Sequence, residues 1–182
     1  SSVGKMNDLL ARLAQHNKGK PDERLLVPLG TLLQAVVKEK QAAHPIELNI
    51  GDDGMIVGDP QRIEQIVAHL LQNAIDASPN GAPVKVALAT AGGNAEITVA
   101  DSGSGMSASF IRDQLFKPFV STKSDGFGIG AFESREIARS MGGRLEVWSR
   151  EGEGTRFTVH LPLADKNGEE IEMRAAANGF DR

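Results

Sequence analysis

Apolar residues along this chain recur with two different periods, and the changes between them mark out the elements. Met6, Leu9, Leu10 and Leu13 recur at helical spacing, and His16-Asn17-Lys18-Gly19-Lys20-Pro21 follows as a linker. Leu25 to Leu29 reads as a short strand. Leu29 to Ala43 reads as a helix through Leu32, Leu33, Val36 and Val37, which Pro45 keeps from continuing. Ile46, Leu48 and Ile50 alternate as a strand, and the turn Asp52-Asp53-Gly54 leads to another at Met55–Val57. Val84, Val86 and Leu88, then Ala95, Ile97 and Val99, alternate on either side of Gly92-Gly93, the pattern of a hairpin. Residues 107–114 allow one or two helical turns, and residues 116–130 have no clean period and read as a loop. Ala131 to Met141 is a helix closed by Gly142-Gly143, and Leu145–Ser149 and Thr155–Leu163 are two further strands. Strands that come in hairpin pairs predict a mixed, mainly antiparallel sheet with helices on one face: an α+β fold, a two-layer α/β sandwich.

The strongest helical pattern runs from Asp59 to Ser78. Asp59 suits the N-cap, Pro60 the first helical position, and Pro79-Asn80-Gly81 the stop. Ile63, Ile66, Val67, Leu70, Leu71, Ala74 and Ile75 make the apolar face. Arg62, Gln65, His69, Asn73 and Asp76 form a second stripe within roughly 80° on the helical wheel. Exposed helix faces favour Lys, Glu and Ala, so Asn and His one turn apart beside a core face lean toward a site.

Composition narrows the chemistry. The 182 residues suffice for one full core, and a net charge of −4 offers no basic footprint for nucleic acid. With no cysteine there is neither disulfide, thiolate metal site nor cysteine nucleophile, and the four histidines lack metal-ligand spacing. No apolar run reaches the length of a membrane span. The chain opens at Ser1-Ser2 without Met, as a piece of a longer protein does. Its 20 glycines cluster in the second half, and that clustering is the main functional signal.

Neither glycine cluster fits the two commonest phosphate motifs. No Gly-Lys-Ser/Thr completes a Walker sequence, and no buried strand precedes Gly126-Phe127-Gly128-Ile129-Gly130 as a dinucleotide fingerprint requires. Asp101, however, ends a strand with Gly103 and Gly105 behind it, where a flat ligand can approach the backbone. A buried carboxylate there can accept from an exocyclic amine. Gly126, Gly128 and Gly130 precede a helix whose backbone N–H groups can bind phosphates. Asn73 offers a neutral oxygen of the kind Mg²⁺ accepts when it is shared with phosphate.

In this order the residues resemble the ATP-binding domain shared by gyrase, the ninety-kilodalton heat-shock chaperones, mismatch-repair ATPases and sensor histidine kinases, the Bergerat or GHKL fold. The resemblance covers about residues 25–163. The N box matches residues 69–78, His-Leu-Leu-Gln-Asn-Ala-Ile-Asp-Ala-Ser, with Asn73 at the Mg²⁺-ligand position. The first glycine box matches Asp101, Gly103 and Gly105, with Asp101 on the adenine. The F box matches Phe116-Lys117-Pro118-Phe119, with Ser121-Thr122-Lys123 after it. The second glycine box matches Gly126, Gly128 and Gly130, and a Gly-Thr box matches Gly154-Thr155. Phe127 stands where Thr is common and Ala131 where Leu is common; neither removes a backbone donor. The F box points to the histidine kinases, and the wording of residues 119–138 is similar to the kinases of exosortase-associated systems, the PrsK group.

The resemblance implies a site for ATP and Mg²⁺ under a mobile ATP lid. Asn73, Asp76, Asp101, Gly103, Gly105, Met106, Phe116, Thr122, Lys123, Gly126, Phe127, Gly128, Ile129, Gly130 and Thr155 line it, and Asn73, His69 and Lys123 are the catalytic set. Hydrolytic members carry a Glu one turn before the metal Asn as base for water. His69 stands there instead and reads better as a residue tuning the site. Arg62 is a second candidate phosphate contact. Lys117, Glu133 and Arg135 read as surface, and Trp148 as core or interface.

Residues 1–20 then become the end of a dimerisation helix and its linker, 21–163 the catalytic domain and 164–182 a polar tail. The expected partners are the protein's own dimerisation and phosphoacceptor domain and a response-regulator receiver domain. The full-length protein would be a homodimer anchored to the inner membrane with this domain in the cytoplasm. No phosphoacceptor motif is present, and His16 does not supply one. A hydrolysing ATPase, a serine-directed kinase of the same fold and a nucleotide-binding pseudokinase module are the alternatives.

Overall fold

The computed structural model describes residues 24–118 and 130–164. Five strands form the main sheet: β2 (Ile46–Ile50), β4 (Val84–Ala91), β5 (Asn94–Asp101), β7 (Gly154–Pro162) and β6 (Arg144–Arg150), in that spatial order. The β2–β4 pair is parallel and the other three are antiparallel. A separate antiparallel ribbon pairs β1 (Leu25–Pro28) with β3 (Met55–Gly58). Helices α1 (Leu29–Gln41), α2 (Pro60–Ala77) and α4 (Ala131–Ser140) contact the sheet. A short helix, α3, spans Ala108–Phe110 and widens into a π turn over Ile111–Leu115. The expected two-layer, mainly antiparallel α+β sandwich is what forms.

Each helix end has a local cause. On α2, the Asp59 carboxylate accepts the Gln61 N–H at 3.0 Å and Pro60 fills the first position, which has no intrahelical donor to lose. On α1, Pro28 can offer no cap. Asp53 reaches across instead to accept the Gly30 N–H at 3.0 Å, and the Gly54 carbonyl accepts the Leu29 N–H. The β4–β5 turn needs two consecutive residues at positive φ, which Gly92 (59°) and Gly93 (81°) supply.

The core lies between α2 and the inner sheet face. Ile63, Ile66, Val67, Leu70, Leu71 and Ala74 meet Val84, Val86, Leu88, Ile97, Val99, Phe157, Val159 and Leu161, all buried. At about 25 cal/mol per Å² of apolar surface removed from water, this face is what holds α2 on the sheet. It also leaves the His69–Asn73 stripe at the edge of the core. Of the two readings of Trp148, core or interface, the structure removes the first: Trp148 is 42% exposed on edge strand β6 between the Arg150 and Arg156 guanidiniums, 5.7 and 5.3 Å from its ring. Its side points away from the helices, because Leu145 and Val147 hold the inward positions of β6.

Candidate functional site

Helix α2 delivers the first pair. Asn73 Nδ2 lies 3.1 Å from His69 Nε2, one turn away, and both residues are half-buried. With the amide nitrogen on this side Asn73 donates and His69 Nε2 accepts, which is the tautomer carrying its ring proton on Nδ1. The hydrogen bond thereby fixes the Asn73 amide with its oxygen on the opposite side. Asp76, one turn beyond Asn73 along the chain, is exposed and accepts from Gln72 Nε2 at 2.9 Å, while Lys40 of α1 donates to Gln72 at 3.0 Å.

Strand β5 delivers the carboxylate. Asp101 is its last residue and pairs in register with Thr155 at the start of β7. Asp101 Oδ1 accepts the Gly103 N–H at 2.9 Å, and the Thr155 backbone N–H also donates to the carboxylate. Burial nonetheless outweighs these two bonds and pushes the Asp101 pKa above the ordinary aspartate range.

Close backbone packing joins the two parts. A Cβ at Gly103 would run into the carbonyl oxygen of Ala77, four residues beyond Asn73 at the end of α2. One at Gly105 would meet the Arg150 carbonyl, and Gly152 N–H donates to the Ser104 carbonyl at 2.7 Å. The 102–106 loop is thus clamped between α2 and the β6–β7 turn. Glycine serves here to bring backbones together.

The hydrogen-bond network also shows a residue the sequence reading missed. Ser149 Oγ accepts the Met106 N–H at 2.8 Å and donates to the Gly154 carbonyl at 3.0 Å, with Thr155 Oγ1 2.8 Å away. It fixes both Met106 and the Thr155 hydroxyl, and a lone serine on an alternating strand gives no periodic signal of that.

Gly130 opens α4, and its N–H donates to Glu133 Oε2 at 2.8 Å. Glu133 is thus a cap and not a plain surface residue. Arg135 is not one either: its side chain is 24% exposed and its guanidinium lies 4.4 Å above the Phe116 ring. Phe116 in turn packs against the core. Lys117 is exposed, as expected. Arg62 sits in the first turn of α2, 3.9 Å from Asp59 and about 16 Å along the helix from Asn73, which removes it from the pair. Phe119, Ser121, Thr122, Lys123, Gly126, Phe127, Gly128 and Ile129 lie outside the described residues, as do His16 and the rest of residues 1–23.

The arrangement fits a purine nucleotide with a hard cation. It has a half-buried carboxylate facing the 102–106 loop, a fixed hydroxyl beside it, and one neutral amide oxygen on the adjoining helix. Among the described residues no cluster of three or more His, Asp or Glu side chains could hold a metal ion.

Known proteins bear on this geometry. Residues 58–165 match the family described as Histidine kinase-, DNA gyrase B-, and HSP90-like ATPase. The C4-dicarboxylate transport sensor protein DctB of Rhizobium meliloti is 37% identical over 168 residues, covering 89% of this chain and 27% of that protein. Sporulation kinase C of Bacillus subtilis is 37% identical over 138 residues, 76% of this chain and 31% of that protein. The chain thus spans roughly a quarter to a third of the relatives' length. Among solved structures, the catalytic domain of histidine kinase ThkA superposes with a TM-score of 0.66 at 26% identity, covering 78% of this chain and 96% of that one. Full-length ShkA in complex with AMPPNP gives 0.67 at 26% identity, over 78% of this chain and 32% of that one. With the matched segment exceeding half its length and the Asn73 and Asp101 elements inside it, the chain belongs to the histidine kinase-, gyrase B- and HSP90-like ATPase family, in the form taken by histidine kinase catalytic domains.

Proposed function

We propose that this domain binds Mg²⁺·ATP and passes its γ-phosphoryl group to a histidine on a dimerisation domain of the same protein, which a response regulator then reads. The observation that carries this reading is the Asn73–His69 hydrogen bond. Because His69 Nε2 already accepts from Asn73, its lone pair is spent and it cannot take a proton from water there. The position that hydrolytic relatives use for a general base is a positioning residue in this chain. That favours transfer to an external nucleophile over hydrolysis, in which the domain's task is orientation and charge neutralisation.

In this reading Asp101 accepts the adenine amine, with the Thr155 hydroxyl held beside it by Ser149. The Asn73 oxygen, turned outward by His69, would hold Mg²⁺, whose chemistry is to neutralise charge on the phosphate oxygens. The α4 N-terminus would receive the phosphates once Glu133 releases the Gly130 N–H. Lys123 is the candidate for charge neutralisation on the transferred group. The described residues contain no helix long and apolar enough to cross a membrane, so inner-membrane anchoring, with this domain in the cytoplasm, would rest on other parts of the protein.

Calorimetry tests the binding part. Mg²⁺-dependent ATP binding is expected, and Asn73→Ala should lower the apparent Mg²⁺ affinity by about 10- to 100-fold while sparing metal-free nucleotide binding. Phosphate release by the chain alone should stay near background. Steady multiple-turnover release without an acceptor would overturn the transfer reading and favour a hydrolysing ATPase.

Glu133 gives an independent check on the phosphate end. Glu133→Ala removes a helix cap, so a loss of about 1 kcal/mol of stability is expected in thermal melts. It also removes a carboxylate from the helix start, so ATP binding should tighten by about 2- to 5-fold. Weaker binding in this variant would mean that the phosphates do not approach α4.

A further inference from the structure

Among the described residues Trp148 is the only aromatic side chain that the fold leaves exposed. It stands on β6, an edge of the main sheet, on the face turned away from the helices. Directly opposed residues of an antiparallel pair share a face, so Arg156 of β7, which pairs with Trp148, lies beside it. Arg150, two residues further along β6, is on that face too. The two guanidiniums lie 5.7 Å (Arg150) and 5.3 Å (Arg156) from the centre of the indole. Among the described residues neither has a carboxylate partner, whereas Arg112, Arg139 and Arg144 each have one, at 3.0, 3.3 and 2.8 Å. Glu146, two residues before Trp148 on the same face, is engaged by Arg144 at 2.8 Å and His160 at 3.1 Å. Two cations held close together without a counter-charge repel each other, and a carboxylate from outside would relieve that. Tryptophan and arginine are also the residues that most often carry the binding energy of a protein contact.

We infer that Trp148, Arg150 and Arg156 form a docking site for an extended, acidic segment of a partner protein. Spacing sets the conformation of that segment. Arg150 and Arg156 are diagonal neighbours across β6 and β7, which places them about 7–8 Å apart. Alternate side chains of an extended chain point the same way and are separated by nearly the same distance, about 7 Å. Carboxylates at i and i+2 of the segment can therefore each meet one guanidinium, in the bidentate pairing that arginine favours, while the stretch between them crosses the indole. Charge decides against broader polyanions. Glu151 and Glu153 follow Arg150 in the exposed β6–β7 turn, and the whole chain carries a net charge of −4. A nucleic acid or an anionic bilayer presents phosphates over a wide area and would meet these carboxylates. A single acidic segment can run along the arginines and stay clear of the turn. The same negative surroundings keep such a segment off the rest of the surface, which gives the site its selectivity.

Trp148 is the chain's only tryptophan, so its own fluorescence reads the site. The full chain, free of nucleotide, is titrated with a blocked octapeptide of alternating Glu and Thr, with its Gln/Thr counterpart, and with phosphatidylglycerol vesicles, each at low and high salt. The expected result is a saturable change in Trp148 emission with the Glu peptide alone, weakened about 10-fold or more by high salt. Arg150→Gln/Arg156→Gln should weaken binding by about 10-fold or more. Arg150→Lys/Arg156→Lys keeps the charge but not the planar fork, and should fall between that variant and the wild type. No response to the Glu peptide, or an equal response to the Gln peptide, overturns the proposal, as does binding that the Gln pair leaves intact. A stronger response to vesicles makes a membrane the occupant, and emission that changes on dilution of the chain alone makes it a second copy; either result overturns the proposal. So does an indole already shielded from acrylamide in the free chain, since the chain itself would then cover the face. Should the Gln pair fail to fold, Arg156→Gln alone takes its place, and an affinity within about twofold of the wild type then decides against the site.

Discussion

Asp101→Asn is expected to weaken ATP binding roughly 100- to 1,000-fold and to abolish the preference for ATP over GTP. The change is nearly isosteric, so it isolates charge and acceptor capacity from packing. In the wild type the carboxylate serves the Gly103 and Thr155 N–H groups and is half-buried at the end of β5. A bond from the adenine amine to an ionised, partly desolvated oxygen is of the strong, charge-assisted kind. The asparagine keeps one acceptor oxygen and turns an NH₂ toward either a backbone donor or the amine, leaving donors facing each other. Loss of that bond together with an unsatisfied donor costs about 3–4 kcal/mol, which is the stated range of affinity. A guanine would place a carbonyl oxygen where adenine has its amine. Only the carboxylate repels it, so the discrimination should vanish with the charge. Calorimetry with both nucleotides reads this; an unchanged ATP-to-GTP ratio would remove Asp101 from the base.

The same residue sets a pH dependence whose sign follows from its raised pKa. Burial, the main cause, disfavours the charged form in the fold. Its contribution to stability is therefore present below the ordinary aspartate pKa and is lost as the pH rises through the elevated value. Nucleotide binding runs the other way, because the ionised carboxylate is the better acceptor. Affinity for ATP should fall as the pH drops through the elevated pKa, and bound ATP should bring that pKa down. A carboxyl-carbon NMR titration with and without nucleotide follows both, and Asp101→Asn should flatten the binding profile over that range.

How far the sequence discloses this site depends on whether a residue's role leaves a local pattern. The α2 stripe does, because a 3.6-residue period puts His69 and Asn73 beside a core face wherever the helix packs, and the structure joins them at 3.1 Å. Asp101 is legible too: alternation ends there and glycine begins. The β4–β5 hairpin follows from Gly92-Gly93 by turn chemistry alone. The parallel β2–β4 pairing and the detachment of β1–β3 as a ribbon are different in kind, since both depend on which apolar faces meet after collapse. Ser149 is hidden for the same reason. Its three partners come from Met106, Gly154 and Thr155, and Met106 lies 43 positions away. Arg135 looks like any helix-surface cation until the fold brings Phe116 beneath it. For Trp148 the residue type leaves core and interface open, and only the register of β6 shows it pointing outward.

The two glycines of the β6–β7 turn separate local strain from packing. Gly152 (φ 82°) and Gly154 (φ 115°) both occupy backbone conformations that L side chains avoid. A Cβ at Gly152 would meet nothing within 4 Å, whereas one at Gly154 would collide with the Asp101 carbonyl and crowd Ser102. Gly152→Ala is therefore expected to cost about 1–2 kcal/mol, the price of the conformation alone, with ATP binding intact. Gly154→Ala adds an overlap with backbone that no rotamer relieves, and an overpacked site of this kind costs a further 1–3 kcal/mol. The total of about 2–5 kcal/mol should appear as a lower denaturation midpoint. Relief of the overlap must come from moving β5 away from β7 at their Asp101–Thr155 pair. The Asp101 carboxylate and the Thr155 hydroxyl would then separate, so, on the proposed placement of adenine, the variant should lose ATP affinity at denaturant concentrations and temperatures where it is still folded. Equal stability losses in the two variants would show that the turn yields without disturbing Asp101. A Gly154→Ala protein that is destabilised but binds ATP normally would show that the base does not depend on this pair of strands.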